Sequence, residues 1–334
     1  MQKKHLIIAV YLIAAAILLT IAVTLLVGRG KDMTALETLA SEIENQNKDA
    51  DKPFCVLVLG RDRAAGLTDV IMLVSFDIAN KKINVLQIPR DTYAEYGDSR
   101  HNKLNVALAS LGSERKLADW LEESLGVKID GYISLDLDAF CDIVDAVGGV
   151  EIELDRSLYY NDPSQGLYIY LAKGKHKLDG KQAENYVRYR AGYVGGDIDR
   201  LDAQKGFLAA LFRSIKDSIN ADNALSVASS LIGKVKTDVG LSLSVALGLK
   251  AVSIDEGDVL FFTLPGEAAI SPKSGASYYV MSKASTQNLL EEYFYGKADT
   301  VDGEGIFLCE KYESFVKIYH KNISTDPISA DELR

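Results

Sequence analysis

The sequence predicts a three-layer α/β/α sandwich with a mixed central sheet, preceded by one N-terminal transmembrane helix, and three observations predict it. Three apolar runs rich in β-branched residues, 56–59, 70–76 and 83–88, follow one another closely and have the marks of buried strands. Strand-like and amphipathic helix-like stretches then alternate at a spacing that suits helices packed on a sheet. Ahead of them all, residues 6–28 contain no charged side chain.

The chain opens MQKKH before that apolar segment. At a rise of 1.5 Å per residue the segment reaches about 34 Å, enough for a hydrocarbon core of roughly 30 Å. A cleaved signal peptide has a shorter apolar region, about 7 to 15 residues, followed by a small-residue cleavage site, so 6–28 reads as an anchor. Lys3 and Lys4 on one side and Arg29 and Lys31 on the other barely decide its orientation by charge. The short leading flank and the large following domain place the N-terminus in the cytoplasm and the rest outside the cell. The expected organisation is a cytoplasmic tail (1–5), a transmembrane helix (6–28), a polar extracytoplasmic stalk (29–52), a folded domain (53–298) and an extension (299–334) with no pattern beyond the apolar run 305–308.

Within the domain, the three strand runs come first. Asn102 or Asn105 is positioned to cap a short helix ending at Gly112, and a second amphipathic helix covers 114–125 and stops at Gly126. A strand follows over 132–135. Asp136 or Asp138 caps a helix through Ala146, which ends at Gly148-Gly149, and 150–154 is again a strand. The tyrosine-rich stretch 158–174, with Tyr159, Tyr160, Tyr168 and Tyr170, reads as a hairpin or rim loop. Asp179 with Gln182 three residues on has the form of a capping box, opening a short helix; if that helix ends near Tyr186, Arg188 and Arg190 aim the same way. The longest amphipathic helix spans 201–219. Two more helices are expected in 222–253, strands over 259–264 and 278–281, and a helix over 286–295 capped by Ser285.

The chain carries 37 Lys and Arg against 47 Asp and Glu, a net charge of −10. That balance argues against a general nucleic-acid binder, since neutralising phosphates supplies most non-specific affinity. Three cysteines, Cys55, Cys141 and Cys309, make neither a disulfide framework nor a metal-binding spacing; the first two lie in apolar runs and read as small core residues.

Charge collects at the ends of the apolar runs. Arg61 and Asp62 close the first, Asp69 opens the second, and Pro89-Arg90-Asp91 closes the third. If these strands are sheet neighbours, two carboxylates and an arginine meet along one edge, where open α/β sheets put their ligands. That is a layout for a divalent cation and a phosphate. Arg188 and Arg190 would diverge on a helix but point the same way on an extended segment. Arg200 stands near the start of the longest helix, whose free N–H groups favour an anion. Taken singly, each has a plainer reading: an Asp at a strand end is usually a turn former or cap, and Arg90 beside Asp91 a surface ion pair of little worth. The tyrosines read as packing and rim, and His101 and His176 have no partner motif.

Taken together, the motifs G-R-D (60–62), T-D (68–69), I-P-R-D-T (88–92), N-K-L-N (102–105), V-D-A-V-G-G-V (144–150), L-D-G-x-x-A-x-x-Y-V-R-Y-R (178–190) and D-x-x-R-x-x-x-Q (197–204) resemble the LytR-CpsA-Psr family. The resemblance is close over 54–213 and makes 53–298 a catalytic domain. It implies a cell-membrane enzyme with an extracytoplasmic domain whose apolar cavity accepts a polyprenyl chain. Such an enzyme moves a phosphate-linked glycopolymer, such as teichoic acid or capsule, from a polyprenyl pyrophosphate to peptidoglycan. Carried over residue by residue, Asp62 and Asp69 match carboxylates that hold Mg²⁺ (or Mn²⁺). Arg90, Arg188, Arg190 and Arg200 match arginines on the pyrophosphate, and Lys103 lies in the matching N-K-L-N motif. Arg90, Asp91, Arg188 and Arg190 are the candidate catalytic residues, with Asp91 either a general base or the group that orients Arg90. The chain departs from the family at Leu67, where an arginine is common, at Val70 in place of threonine, and at Ala203 in place of a second arginine. Two other functions suit such a chain: hydrolysis of the carrier with water as acceptor, or non-catalytic envelope sensing by a regulator or transcriptional attenuator.

Overall fold

The structure is a computed structural model that describes residues 53–61, 67–96, 102–163, 167–189, 197–218, 234–240, 243, 247, 251, 253–272, 274–295, 316–317 and 326–333. The expected anchor and stalk, most of the two helices expected in 222–253 and most of the C-terminal extension lie outside these residues; 243, 247 and 251 are helical, and Lys236–Thr237 between the two helices is a short strand. None of the described helices is long and apolar enough to cross a membrane.

Three strands form the centre: β1 (Phe54–Arg61), β2 (Thr68–Asp77) and β3 (Lys82–Ile88), each antiparallel to the next. The turn between β2 and β3 is closed by the Asp77 carboxylate, which accepts from the Asn80 backbone N–H (3.1 Å) and side-chain amide (2.8 Å). The chain continues with a single 3₁₀ turn (Leu104–Val106), α1 (Ala107–Leu111), α2 (Glu114–Leu125), β4 (Gly131–Leu135), α3 (Leu137–Ala146), β5 (Val150–Leu154), β6 (Leu158–Asp162), β7 (Leu167–Leu171), β8 (Gly174–Leu178), α4 (Gly180–Arg188) and α5 (Asp197–Ser218). It ends with β9 (Lys236–Thr237), β10 (Val259–Thr263), β11 (Gly266–Ile270), β12 (Ser277–Met281), α6 (Lys283–Leu290), β13 (Val316–Lys317) and β14 (Ile328–Ser329).

The main sheet has the order β14-β10-β3-β2-β1-β4-β9 among the described residues. β1 is parallel to β4 and β3 to β10, whereas β2, β9 and β14 run the other way, so the sheet is mixed as expected. Alternation along the strands divides the core in two. Val56, Val58, Val70, Met72, Val74, Ile83 and Val85 meet Phe140, Ile143, Ala183, Val187, Phe207 and Leu211 from α3, α4 and α5 on one face. Leu57, Leu59, Ile71, Leu73, Leu86 and Ile88 meet Leu104, Leu117, Leu121 and Leu289 from the 3₁₀ turn, α2 and α6 on the other. This period of two, buried on both sides, is why β2 reads as an unbroken apolar run.

Several local expectations need correction. Neither Asn102 nor Asn105 caps the helix before Gly112; no side chain caps that segment, because Asn105 is drawn into the fold by its backbone N–H. The capping box at Asp179 and Gln182 is present, but α4 runs on to Arg188 rather than ending near Tyr186. Arg188 therefore sits on a helix, and the premise that it and Arg190 share an extended segment fails. α5 begins at Asp197, so Arg200 lies inside its first turns. The last helix starts at Lys283, and Ser282, not Ser285, precedes it. β11 has no β-branched alternation to announce it. It can form because a Cβ at Gly266 would lie only 2.4 Å from the Val280 carbonyl of β12, so the residue that reads as a breaker is the one that permits the pairing.

Cys55 is buried in β1, and desolvation, helped by the nearby Asp130 carboxylate, pushes its thiol up to about 12. It should stay unmodified by a maleimide at pH 8 in the native protein and react only after denaturant; labelling in the native state would contradict this burial. Two glycines should respond with opposite signs. A Cβ at Gly180 would stand 2.3 Å from the Cys141 carbonyl of α3, so Gly180→Ala should destabilise the protein by about 1–3 kcal/mol. A Cβ at Gly206, inside α5, would meet nothing within 4 Å among the described residues, so Gly206→Ala should stabilise it by about 0.5–1 kcal/mol, both read from urea unfolding midpoints.

Candidate active site at the strand edge

The C-terminal ends of β1, β3, β4 and β10 and the N-terminal end of β2 share one edge of the main sheet. Register brings the first site pair together. Ile71 faces Ile88 across the β2–β3 ladder, and one further repeat sets Asp69 opposite Arg90. There the Arg90 Nη1 donates to Asp69 Oδ1 at 2.7 Å, with the carboxylate side chain only 1% exposed and the guanidinium 12%. Asp69 thus orients Arg90, and Asp91 does not.

Asp91 turns to a different partner, accepting from Lys103 Nζ at 3.0 Å. Lys103 also stands 5.5 Å from the centre of the Tyr278 ring, which adds a cation–π contact. The loop carrying Arg90 and Asp91 is pinned by backbone bonds on two sides. The N–H groups of Leu104 and Asn105 donate to the carbonyls of Thr92 and Arg90, and the Tyr279 N–H donates to the Asp91 carbonyl. Thr92 closes the loop on itself by donating its hydroxyl to the Pro89 carbonyl. This gives the I-P-R-D-T and N-K-L-N motifs a joint physical meaning: the second is the buttress of the first.

The other charges come from the opposite layer. α4 runs antiparallel to α3, with the Gly180 N–H on the Asp145 carboxylate and Cys141 beside Glu184. One turn beyond Glu184, Arg188 therefore stands at the level where α3 leaves the C-terminal end of β4. Its guanidinium is held by Glu184 at 2.9 Å. α5 starts at the same edge, because Gln204 in its second turn accepts at 2.8 Å from Gln87, the penultimate residue of β3. The backbone of Arg200 lies one turn nearer the edge than Gln204. Its side chain, and Asp62 and Arg190, lie outside what the structure describes.

Among the described residues, the buried polar groups at this edge without a partner include the Arg90 Nε–H, the Arg61 Nε–H and the Thr68 hydroxyl. Arg61 faces Thr68 just past an irregularity in the β1–β2 ladder. Unmet buried donors are costly, and two guanidinium N–H groups beside a carboxylate suit an incoming phosphate. For a cation, the donor chemistry also fits. Asp69 is a hard oxygen ligand, and no group of three or more His, Cys, Asp or Glu able to hold a metal stands among the described residues. An ion here would complete its shell with waters and substrate oxygens, as Mg²⁺ habitually does.

Sequence reasoning missed Glu184 and the Gln87–Gln204 pair. A signal existed for both, since each is a polar residue inside an apolar-periodic stretch. The tyrosines divide by the pleat of the β6–β7 hairpin: Tyr160 is half-buried against Tyr189, whereas Tyr159, Tyr168 and Tyr170 are exposed. The three outward rings are not core packing.

Residues 25–294 match the LytR_cpsA_psr family. The chain is 30% identical over 217 residues to the polyisoprenyl-teichoic acid–peptidoglycan teichoic acid transferase TagV of Bacillus subtilis, a match covering 63% of this chain and 55% of TagV. It is 31% identical over 220 residues to regulatory protein MsrR of Staphylococcus aureus, covering 64% of this chain and 65% of MsrR. The match thus spans less than two thirds of either relative. Among solved structures, B. subtilis TagV aligns with a TM-score of 0.61 at 26% identity over 72% of this chain and 96% of that one. TagT bound to LIIa-WTA aligns with a TM-score of 0.59 at 26% identity over 73% and 90%. With the family matched across most of its length and the same α/β fold with a mixed central sheet, the chain belongs to the LytR_cpsA_psr family.

Proposed function

We propose that this chain is a membrane-anchored extracytoplasmic phosphotransferase that moves a glycopolymer from a polyprenyl pyrophosphate carrier to peptidoglycan. The observation that carries the reading is the Asp69–Arg90 pair at the strand edge, with unmet guanidinium N–H groups of Arg90 and Arg61 beside it. The likeness to TagV, named a teichoic acid transferase, and to TagT bound to LIIa-WTA supports it.

A pyrophosphate diester carries two negative charges, and transfer redistributes them onto the non-bridging and leaving oxygens. Forked donors stabilise that redistribution. Arg90 and Arg188 supply such forks from opposite sides of the edge, with Arg190 and Arg200 completing the clamp. An acceptor hydroxyl attacks the phosphorus next to the sugar; its O–P bond forms as the bond to the bridging oxygen breaks and polyprenyl phosphate departs. The hydroxyl proton goes to Asp91. With Arg90 already oriented by Asp69, general base is the role left to Asp91, and Lys103 holds its carboxylate in place. Asp62 and Asp69 are the residues to hold Mg²⁺ or Mn²⁺, which when bound would add positive charge at the phosphate oxygens. An anchor at 6–28 would keep the domain at the membrane surface where a polyprenyl lipid resides.

The likeness to a relative named a regulatory protein favours a second reading, in which the domain binds envelope lipid without chemistry. Transfer of labelled polymer from a polyprenyl pyrophosphate donor to purified peptidoglycan separates the two, and omission of peptidoglycan tests for hydrolysis. Arg90→Ala, Asp69→Ala and Arg188→Ala should each lower transfer by about 10²-fold or more; full transfer by all three would reject the enzyme reading. Asp69→Ala also strands a buried guanidinium and should lower the unfolding free energy by about 3 kcal/mol, so its rate is to be taken per folded molecule. Chelation with EDTA should stop turnover and added Mg²⁺ or Mn²⁺ restore it; turnover that persists in EDTA would remove the cation from the reaction.

A further inference from the structure

Behind Arg188 stands a carboxylate that none of the site motifs assigns. Glu184 lies one turn earlier on α4, and its side chain is only 4% exposed. Its Oε1 accepts from Arg188 Nη1 at 2.9 Å and its Oε2 from Lys181 Nζ at 2.8 Å, while Cys141 Sγ of α3 approaches Oε2 at 3.6 Å. Burying an ionised carboxylate is costly, and an apolar side chain of similar volume would serve the α3–α4 interface at least as well.

We propose that Glu184 is a positioning residue for Arg188, holding its guanidinium in one orientation before substrate arrives. The proposal rests on the reading of Arg188 as a phosphate contact. A free arginine side chain samples many rotamers, and fixing it is a cost that a substrate would otherwise have to meet on binding. The bond to Glu184 meets that cost in advance through a single Nη, leaving the rest of the planar fork for a bidentate grip on phosphate. Glu184 does not cancel the charge it positions. Lys181 takes its second oxygen, so one carboxylate serves two cations and the cluster keeps a net positive charge for an anion. Lys181 is 62% exposed and acts from the solvent side, whereas Arg188, 10% exposed, is the inner partner.

The test is a double-mutant cycle on the purified full-length chain, read as affinity for inorganic pyrophosphate by calorimetry at constant Mg²⁺. Glu184→Gln should weaken binding about tenfold and Glu184→Asp, which keeps the charge but shortens the reach, by less. In an Arg188→Ala background, Glu184→Gln should have no further effect, within twofold. A merely structural role would lower the unfolding midpoint but leave the affinity of the folded protein unchanged. Unchanged affinity in Glu184→Gln with loss in Arg188→Ala would overturn the positioning role and leave the phosphate role of Arg188 standing. An equal loss on adding Glu184→Gln to Arg188→Ala would also overturn it. Unchanged affinity in Arg188→Ala alone would remove both.

Discussion

The buried ion pair between Asp69 and Arg90 is the contact on which the strand edge depends. Neither group is tolerable alone at this depth, because a lone charge at the rim of an apolar core pays desolvation with no return. The pairing is written into the β2–β3 register: with Ile71 opposite Ile88, Asp69 and Arg90 have no choice but to face one another. A slip of one residue would invert the faces of β2, sending Ile71 and Leu73 toward the wrong helical layer, so the apolar core enforces the position of the charges.

From that pair the edge is assembled from both sides. The layer containing the 3₁₀ turn and α1 contributes Lys103 and the backbone donors that grip the Arg90–Thr92 loop. The opposite layer contributes Arg188 at the end of α4 and the first turns of α5, tied to the sheet through Gln87 and Gln204. One rule of construction recurs. Arg90 has Asp69, Lys103 has Asp91 and Arg188 has Glu184, each at 3.0 Å or less. Neighbouring cations repel one another, and a carboxylate partner for each stabilises the arrangement while fixing its geometry.

Much of this was legible in the residues. The strands of the sheet's centre, the two-faced core, the capping box at Asp179 and the helix 114–125 follow from periodicity and local capping chemistry, which act over a few residues and need no partner from elsewhere. The clustering of charge at strand ends pointed to a single edge. What failed was of two kinds. Helix ends shifted by two to four residues at Arg188 and Asp197; at the first, burial of Val187 holds the last turn of α4 against the core. And β11 went unseen, since its pairing depends on what a neighbouring strand leaves room for.

By itself, the sequence determined the fold class and the apolar faces of the central strands, because pattern and motif are properties of neighbours along the chain. Which carboxylate serves which cation was decided only by the tertiary structure. Asp91 is adjacent to Arg90 in the chain but bonds Lys103, while Arg90 bonds Asp69, 21 residues away. Successive residues in an extended segment point to opposite sides, so adjacency in sequence separates these two side chains, and the cross-strand register joins the distant ones.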